Sequence, residues 1–122
     1  MPVTKLTADA RIEKAILAGK LLSEMNFNQK VWALTVRIPK GKVATYGDIA
    51  HKLDSQGYRA VGMAMNRNPY APAVPCHRVV GADGKLTGFA GGIDAKRKLL
   101  VDDKVPMRNL DQVDLCEAHF DL

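Results

Sequence analysis

The chain reads as one small, mainly α-helical domain with a helix-turn-helix and a few short strands. Three observations predict this. Its 122 residues, 47% of them hydrophobic, suffice for one ordinary buried core and no independent second one. Two N-terminal capping signatures, Asn26 with Gln29 and Thr45 with Asp48, each precede apolar residues at helical spacing. Strand-like stretches are few and short, Val79-Val80 being the clearest.

In chain order, residues 8 to 24 place Ile12, Ala15, Ile16, Gly19 and Leu22 at helical spacing, which predicts an amphipathic packing helix weakened in its middle by Gly19. The capping box at Asn26 opens a second helix, on which Phe27, Val31, Leu34 and Ile38 share a face until Pro39 stops it. Thr45, as N-cap, starts a short third helix through Ile49 and Leu53. After the polar break Asp54-Ser55-Gln56-Gly57, residues Tyr58 to Asn66 form a fourth, anchored by Val61 and Met65 and otherwise lined by the small Ala60, Gly62 and Ala64. Two short helices joined by a tight turn fit a helix-turn-helix, although many pairs with this spacing only pack.

Prolines exclude regular helix from Asn68-Pro69 to Pro75, so an ordered loop must lead into Cys76. Gly81-Ala82-Asp83-Gly84 is a turn, and Gly88-Phe89-Ala90-Gly91-Gly92 is either a pocket wall or an ordinary surface connection. A last helix is expected from about Asp94 to Asp103, with Ala95, Leu99 and Leu100 turned to the core and Lys96, Arg97 and Lys98 to water. In the tail, Val113-Asp114-Leu115 is a further strand or wing.

Composition excludes several classes. The longest apolar runs, such as Val31-Trp32-Ala33-Leu34, are far shorter than the ~18 to 20 residues that span a bilayer. The start Met1-Pro2-Val3-Thr4-Lys5 carries no signal-peptide pattern, so a cytoplasmic protein, nuclear in a eukaryote, is expected. Two cysteines make no disulfide framework, and Cys76 and Cys116 read as free thiols unless the fold juxtaposes them. With no C-x-x-C and with His51, His77 and His119 far apart, no metal is expected. The net charge of +5 is uneven: residues 26 to 105 hold 13 Lys/Arg against 6 Asp/Glu, whereas residues 106 to 122 hold one Arg against four acids. A polyanion would bind the basic segment, although such an excess also serves solubility alone.

The chemical centre is Pro75-Cys76-His77-Arg78. A thiol is a strong nucleophile only as thiolate, and a nearby imidazole can take its proton. Adjacent residues of an extended strand point to opposite faces, so His77 needs a kinked backbone or a bridging water to serve Cys76. On its apolar flanks alone, Cys76 reads as an inert core thiol.

Five ordered blocks change that reading. They are Gly41-Lys42-Val43-Ala44-Thr45-Tyr46-Gly47-Asp48-Ile49-Ala50; Arg59-Ala60-Val61-Gly62 with Ala64-Met65; Asn68-Pro69; Pro75-Cys76-His77-Arg78-Val79-Val80; and Gly91-Gly92 followed by Lys96 and Leu99-Leu100. Across roughly residues 27 to 105 the chain resembles the DNA-binding, catalytic domain of the O6-alkylguanine-DNA alkyltransferases. The resemblance implies a winged-helix-like domain over residues 26 to 105, with residues 1 to 25 a helical extension and 106 to 122 a tail packed on it. It also implies a monomer that binds double-stranded DNA through the minor groove and needs no cofactor.

Of the site residues it implies, Cys76 accepts the alkyl group, His77 deprotonates Cys76 through a water, and Asn68 steadies the turn carrying the cysteine. Tyr46 helps rotate the nucleotide and hydrogen-bonds the base. Arg59 fills the gap left by the flipped nucleotide, and Ala60 and Gly62 admit the DNA backbone, with Thr45 and Arg67 in the same interface. The carbonyls of Cys76 and Val79 read the guanine amine, and Phe89 and Ala90 wall the pocket, where the family commonly has Tyr and Ser. The family's usual N-terminal domain is expected to be missing here.

One departure bears directly on the chemistry. Where the family has Glu, this chain has Asp103, one methylene shorter, so that a backbone shift, an inserted water or weaker thiolate formation is expected. The neighbouring Asp102 lies about 100° away around the helix. Short alkyltransferase-like proteins, which flip and bind the lesion and recruit other factors, are the rival reading. They typically have Trp or Ala in place of the cysteine. A sequence-specific regulator is disfavoured because the fourth helix offers few base-reading side chains.

Overall fold

The computed structural model describes residues 3–55, 57–89 and 91–122. Among the described residues six α-helices carry the fold: α1 (Val3–Leu17), α2 (Phe27–Val36), α3 (Tyr46–Lys52), α4 (Tyr58–Asn66), α5 (Ile93–Asp102) and α6 (Leu115–Ala118). Four short strands, β1 (Ala44–Thr45), β2 (Val79–Val80), β3 (Met107–Asn109) and β4 (Gln112–Val113), form two two-stranded sheets. The mainly helical class with a helix-turn-helix and few strands is therefore what the chain adopts.

Both capping boxes form. Asn26 accepts the Gln29 N–H while Gln29 caps Asn26 in return, and Thr45 and Asp48 do the same for α3. Val31, Leu34, Ile38, Ile49, Val61, Ala64, Met65 and Val79 then close one core between α2, α3 and α4, so the helix-turn-helix is also part of the main packing. Burying such side chains is worth about 1.5–3 kcal/mol each for the larger ones, an upper bound for a chain whose unfolded state is compact.

The first helix differs from expectation. It ends at Leu17 instead of running to residue 24, because Gly19 adopts φ +71°, a left-handed conformation that terminates a helix, and Leu22 packs from the segment beyond it. Of the tail run Val113-Asp114-Leu115, only Val113 is strand. Asp114 leaves the strand to cap α6, its carboxylate accepting the Cys116 N–H. The β3–β4 hairpin is the wing, and it is tied to the turn after β2 by the Val113 N–H donating to the Gly84 carbonyl at 2.8 Å. Gly84 has φ +87°, and a Cβ there would run into the Val113 carbonyl, so the wing's close approach requires glycine.

Two pairings position the chemistry. β1 pairs in parallel with β2, Ala44 with Val79 and Thr45 with Val80, which sets the start of α3 beside the turn that carries Cys76. The C-terminal segment then locks β1 from its other side: Val43 donates to the Ala118 carbonyl and the Phe120 N–H to the Val43 carbonyl.

Candidate active site

Cys76, His77 and Arg78 form one turn of 3-10 helix directly before β2. This is the kink that the adjacency of Cys76 and His77 demanded. Pro75 starts the turn, its carbonyl accepting the Arg78 N–H at 2.9 Å, and the Val79 N–H closes it on the Cys76 carbonyl. That carbonyl keeps one lone pair for a further donor. The proline-rich loop ahead is held by Asn68, whose Nδ2 donates to the Val74 carbonyl and whose Oδ1 accepts the Tyr70 N–H, each at 2.9 Å. Tyr70 in turn meets Trp32 of α2 edge-on, with ring centroids 5.7 Å apart.

His77 is buried, and its Nε2 lies 2.8 Å from Asp103 Oδ2. Asp103 caps the C-terminus of α5, so the shorter side chain reaches the imidazole directly, with no water between them. Asp102 points away and pairs with Lys98 across the helix surface at 3.9 Å. With Nε2–H donating to a carboxylate, Nδ1 is left as the basic nitrogen. Burial pushes the His77 pKa down from 6.5, together with the charges of Arg78 and Lys96, and this outweighs the pull of Asp103. Burial alone would push the Asp103 carboxyl up, but the bonds from His77 and Arg78 hold it below the usual carboxylate range.

The structure corrects the reading of α5. Lys96 does not face water: it is fully buried, while Leu99 is 36% exposed. The inward face is Lys96, Leu100 and Asp103: of the expected Ala95, Leu99 and Leu100, Leu100 is buried as expected, while Leu99 turns outward and Lys96 inward. The Lys96 ammonium donates to the Thr87 carbonyl at 3.0 Å and to the Tyr46 hydroxyl oxygen at 3.3 Å, and lies 5.5 Å from the centre of the Tyr46 ring. Burial lowers its pKa to about 8, against the opposing pull of Cys76. Burial likewise raises the Tyr46 pKa. Because Lys96 donates to the Tyr46 oxygen, the tyrosine's own hydrogen must point elsewhere, and at 3.5 Å the Thr87 carbonyl holds it only weakly.

Tyr46 sits at the first position of α3, on a helix start that is unusually well pinned. Asp48 Oδ2 accepts both the Thr45 N–H at 2.9 Å and His119 Nε2 at 2.7 Å, so a residue of the tail helps to set it. Burial would raise the Asp48 pKa, but these two partners hold it down. Thr45 itself is 8% exposed, its hydroxyl taken up as cap.

On α4, Val61, Ala64 and Met65 turn inward and Arg59, Ala60, Met63, Asn66 and Arg67 outward. A Cβ built on Gly62 would meet nothing within 4 Å, so no neighbour inside the protein demands glycine there. Any need for smallness comes from outside. Tyr58, which sequence reasoning passed over, stands 58% exposed beside Arg59 and lines a mainly apolar cleft of about 420 Å³ with Tyr46, Gly47 and Thr87. Val79 is buried behind the turn, Phe89 is half-buried in the loop before α5, and Ala90 lies outside the described residues.

The fold thus brings Cys76, His77, Asp103, Tyr46 and Asn68 into one region, with Lys96 and Arg78 added to them. Two signals could have found Lys96: it stands in the matched block, and its spacing to Leu100 and Asp103 is that of one helix face. Among the described residues no three His, Cys, Asp or Glu side chains converge as metal ligands, and no helix is long and apolar enough to cross a membrane.

A helix-turn-helix packed beside a turn in which a cysteine precedes a carboxylate-bonded histidine is the framework of a nucleic-acid-binding domain. The family model of the 6-O-methylguanine DNA methyltransferase DNA-binding domain matches residues 26–105, and the chain belongs to that family. A methylated-DNA--protein-cysteine methyltransferase of Methanosarcina mazei is 55% identical over 75 residues, which are 61% of this chain and 48% of that protein. Its namesake in Mycobacterium tuberculosis is 53% identical over 76 residues, 62% of this chain and 46% of its own. The chain thus spans about half the length of these curated relatives. Among solved structures, Mycobacterium tuberculosis OGT in complex with DNA superposes with a TM-score of 0.63 at 41% identity, over 82% of this chain and 69% of that one. S. pombe Atl1 in complex with damaged DNA containing O6-carboxymethylguanine gives 0.67 at 30% identity, over 77% of this chain and 94% of that one.

Proposed function

We propose that this chain is a single-turnover alkyl acceptor that removes a methyl or other alkyl group from O6 of guanine in double-stranded DNA, without a cofactor. The observation that carries this is Cys76 beside His77 in a kinked turn, with the second nitrogen of His77 bonded to a partly buried carboxylate at 2.8 Å. The family model matches residues 26–105, the segment that holds this turn, and relatives whose names describe cysteine methyl transfer are about half identical to this chain over the matched length. Such a protein works where the genome is, in the cytoplasm or, in a eukaryote, the nucleus.

In the proposed reaction α4 enters the minor groove, Gly62 and Ala60 letting the backbone close in, while Arg59 takes the place of the guanine swung out of the stack. Thr45 and Arg67 flank this interface. His77, through a water, removes the Cys76 proton, and the thiolate attacks the alkyl carbon in line. The S–C bond forms as the C–O bond breaks, and the electron pair passes into the guanine ring. Tyr46 donates its proton to a ring nitrogen of the leaving base and recovers one from Lys96, whose lowered pKa suits it to give one up. A thioether and an ordinary guanine result. The carbonyls of Cys76 and Val79 hold the guanine amine, and Phe89 and Ala90 form the wall of the pocket.

Incubation with a duplex containing O6-methylguanine is expected to replace one hydrogen of the protein by one methyl group, located on Cys76 by peptide mass mapping. Tight binding to that duplex with no mass change would instead support lesion sensing, the reading favoured by this chain's 94% coverage of Atl1. A second expectation concerns flipping. Arg59→Ala should slow transfer from duplex roughly tenfold or more, since the unstacking cost is a few kcal/mol, and leave transfer from free O6-benzylguanine nearly unchanged. Equal losses on the two substrates would remove Arg59 from that role.

A further inference from the structure

We propose that Arg78 is the positioning residue that makes the short Asp103 side chain work, by clamping its carboxylate against His77. The proposal rests on the alkyl-transfer reading for its meaning, but the contacts themselves do not. Arg78 Nε donates to Asp103 Oδ2 at 3.0 Å, the same oxygen that His77 Nε2 meets at 2.8 Å. A second guanidinium nitrogen, Nη1, donates to the Ile38 carbonyl just past the end of α2 at 2.8 Å. The Arg78 side chain is 18% exposed and that of Asp103 14%.

The planar fork therefore ties the exit of α2 to the C-cap of α5 from a residue adjacent to His77. Asp103 has one fewer carbon than glutamate with which to find the imidazole. It also stands at a helix end, where the last turn frays most readily. Two donors converging on one oxygen leave its carboxylate a single orientation. Lysine could not replace this arrangement, because a point charge on a flexible stem cannot hold a carboxylate and a carbonyl in fixed directions at once. The charged and titratable groups facing His77 are Asp103 and Lys96 from α5, with Arg78 and Cys76 from its own turn.

Clamping and simple charge make opposite forecasts for Arg78→Gln. If Arg78 only adds positive charge next to His77, its loss raises the His77 pKa. If it holds Asp103 in place, the carboxylate swings to solvent, His77 loses its anionic partner, and its pKa falls. The test is an NMR titration of the His77 ring in the wild type, in Arg78→Gln and in Arg78→Gln with Asp103→Glu, alongside transfer from free O6-benzylguanine. The expected result is a lower His77 pKa and roughly 10- to 100-fold slower transfer in Arg78→Gln, with both recovered when Asp103→Glu restores the reach. An unchanged or raised pKa, or no recovery with glutamate, overturns the proposal. Should Arg78→Gln fail to fold, Arg78→Lys keeps the charge and loses the fork, and the same fall is required of it. If the wild type transfers nothing, the alkyl-transfer reading fails while the titration still decides on the clamp.

Discussion

Cys76→Ala is expected to transfer no alkyl group at all while remaining folded and able to bind duplex carrying O6-methylguanine. On the proposed reading the loss is absolute, because the sulfur is then the atom that accepts carbon and no neighbour can replace it. Cys116, the other thiol, is exposed on α6 and not part of the relay. The cost to stability should be small, on the order of 1 kcal/mol, since Cys76 is only half-buried at the edge of the main core and its removal leaves the His77–Asp103 pair in place. Intact mass after long incubation, with binding measured on the same duplex, checks both halves. Methylation anywhere on the variant would place the acceptor on another residue. Lost binding in a folded variant would mean that the thiol, and not the groove, makes the lesion contact.

The second large effect concerns Lys96, for which stability and chemistry should move in opposite directions. A lysine whose pKa falls from 10.5 to about 8 on folding costs about 3 kcal/mol at neutral pH. The sign follows from linkage. The unfolded chain holds this proton more tightly, so the cost is fully present below pH 8, shrinks as pH rises, and is gone above 10.5. Lys96→Met fills similar space without the charge and gives up bonds to Thr87 and Tyr46 worth about 1 kcal/mol each. A net gain of roughly 1–2 kcal/mol at pH 7, fading toward alkaline pH, is expected in denaturant melts. Transfer should slow roughly 100-fold, because Tyr46 loses both the donor that orients its hydroxyl and its source of a replacement proton. In the wild type, transfer should fall on the acid side, where His77 protonates at a pH below the usual imidazole value, and on the alkaline side above about pH 8, as Lys96 deprotonates. A destabilised variant, or a wild-type rate flat through pH 8 to 9, would contradict this account.

Much of the site was legible from order alone. The block around Cys76, the capped start of α3 with Tyr46, and the small-residue helix with Arg59 could be assigned roles by resemblance before any coordinate. Arg78 and Lys96 carried weaker signals. Both stand in matched blocks, but a charged residue on a short amphipathic helix is ordinarily solvated, and a helix that advances 100° per residue lets a one-residue error in phase exchange its inner and outer faces. Lys96 and Leu99 were misassigned for that reason. Asp103 raised a different difficulty, since whether a missing methylene matters depends on where a helix ends relative to a turn 26 residues earlier.

The sequence by itself determined what acts locally. Capping boxes, the proline-barred loop and the run Pro75-Cys76-His77-Arg78 depend on residues at most a few positions apart, and short-range sterics and hydrogen bonding decide them. Tertiary structure alone decided which of those groups meet. The His77–Asp103, Arg78–Ile38 and Lys96–Tyr46 contacts join residues 26, 40 and 50 positions apart. Such distances are set by how α2 and α5 pack in neighbouring clusters that the β1–β2 pair joins, and no local period in the chain encodes them.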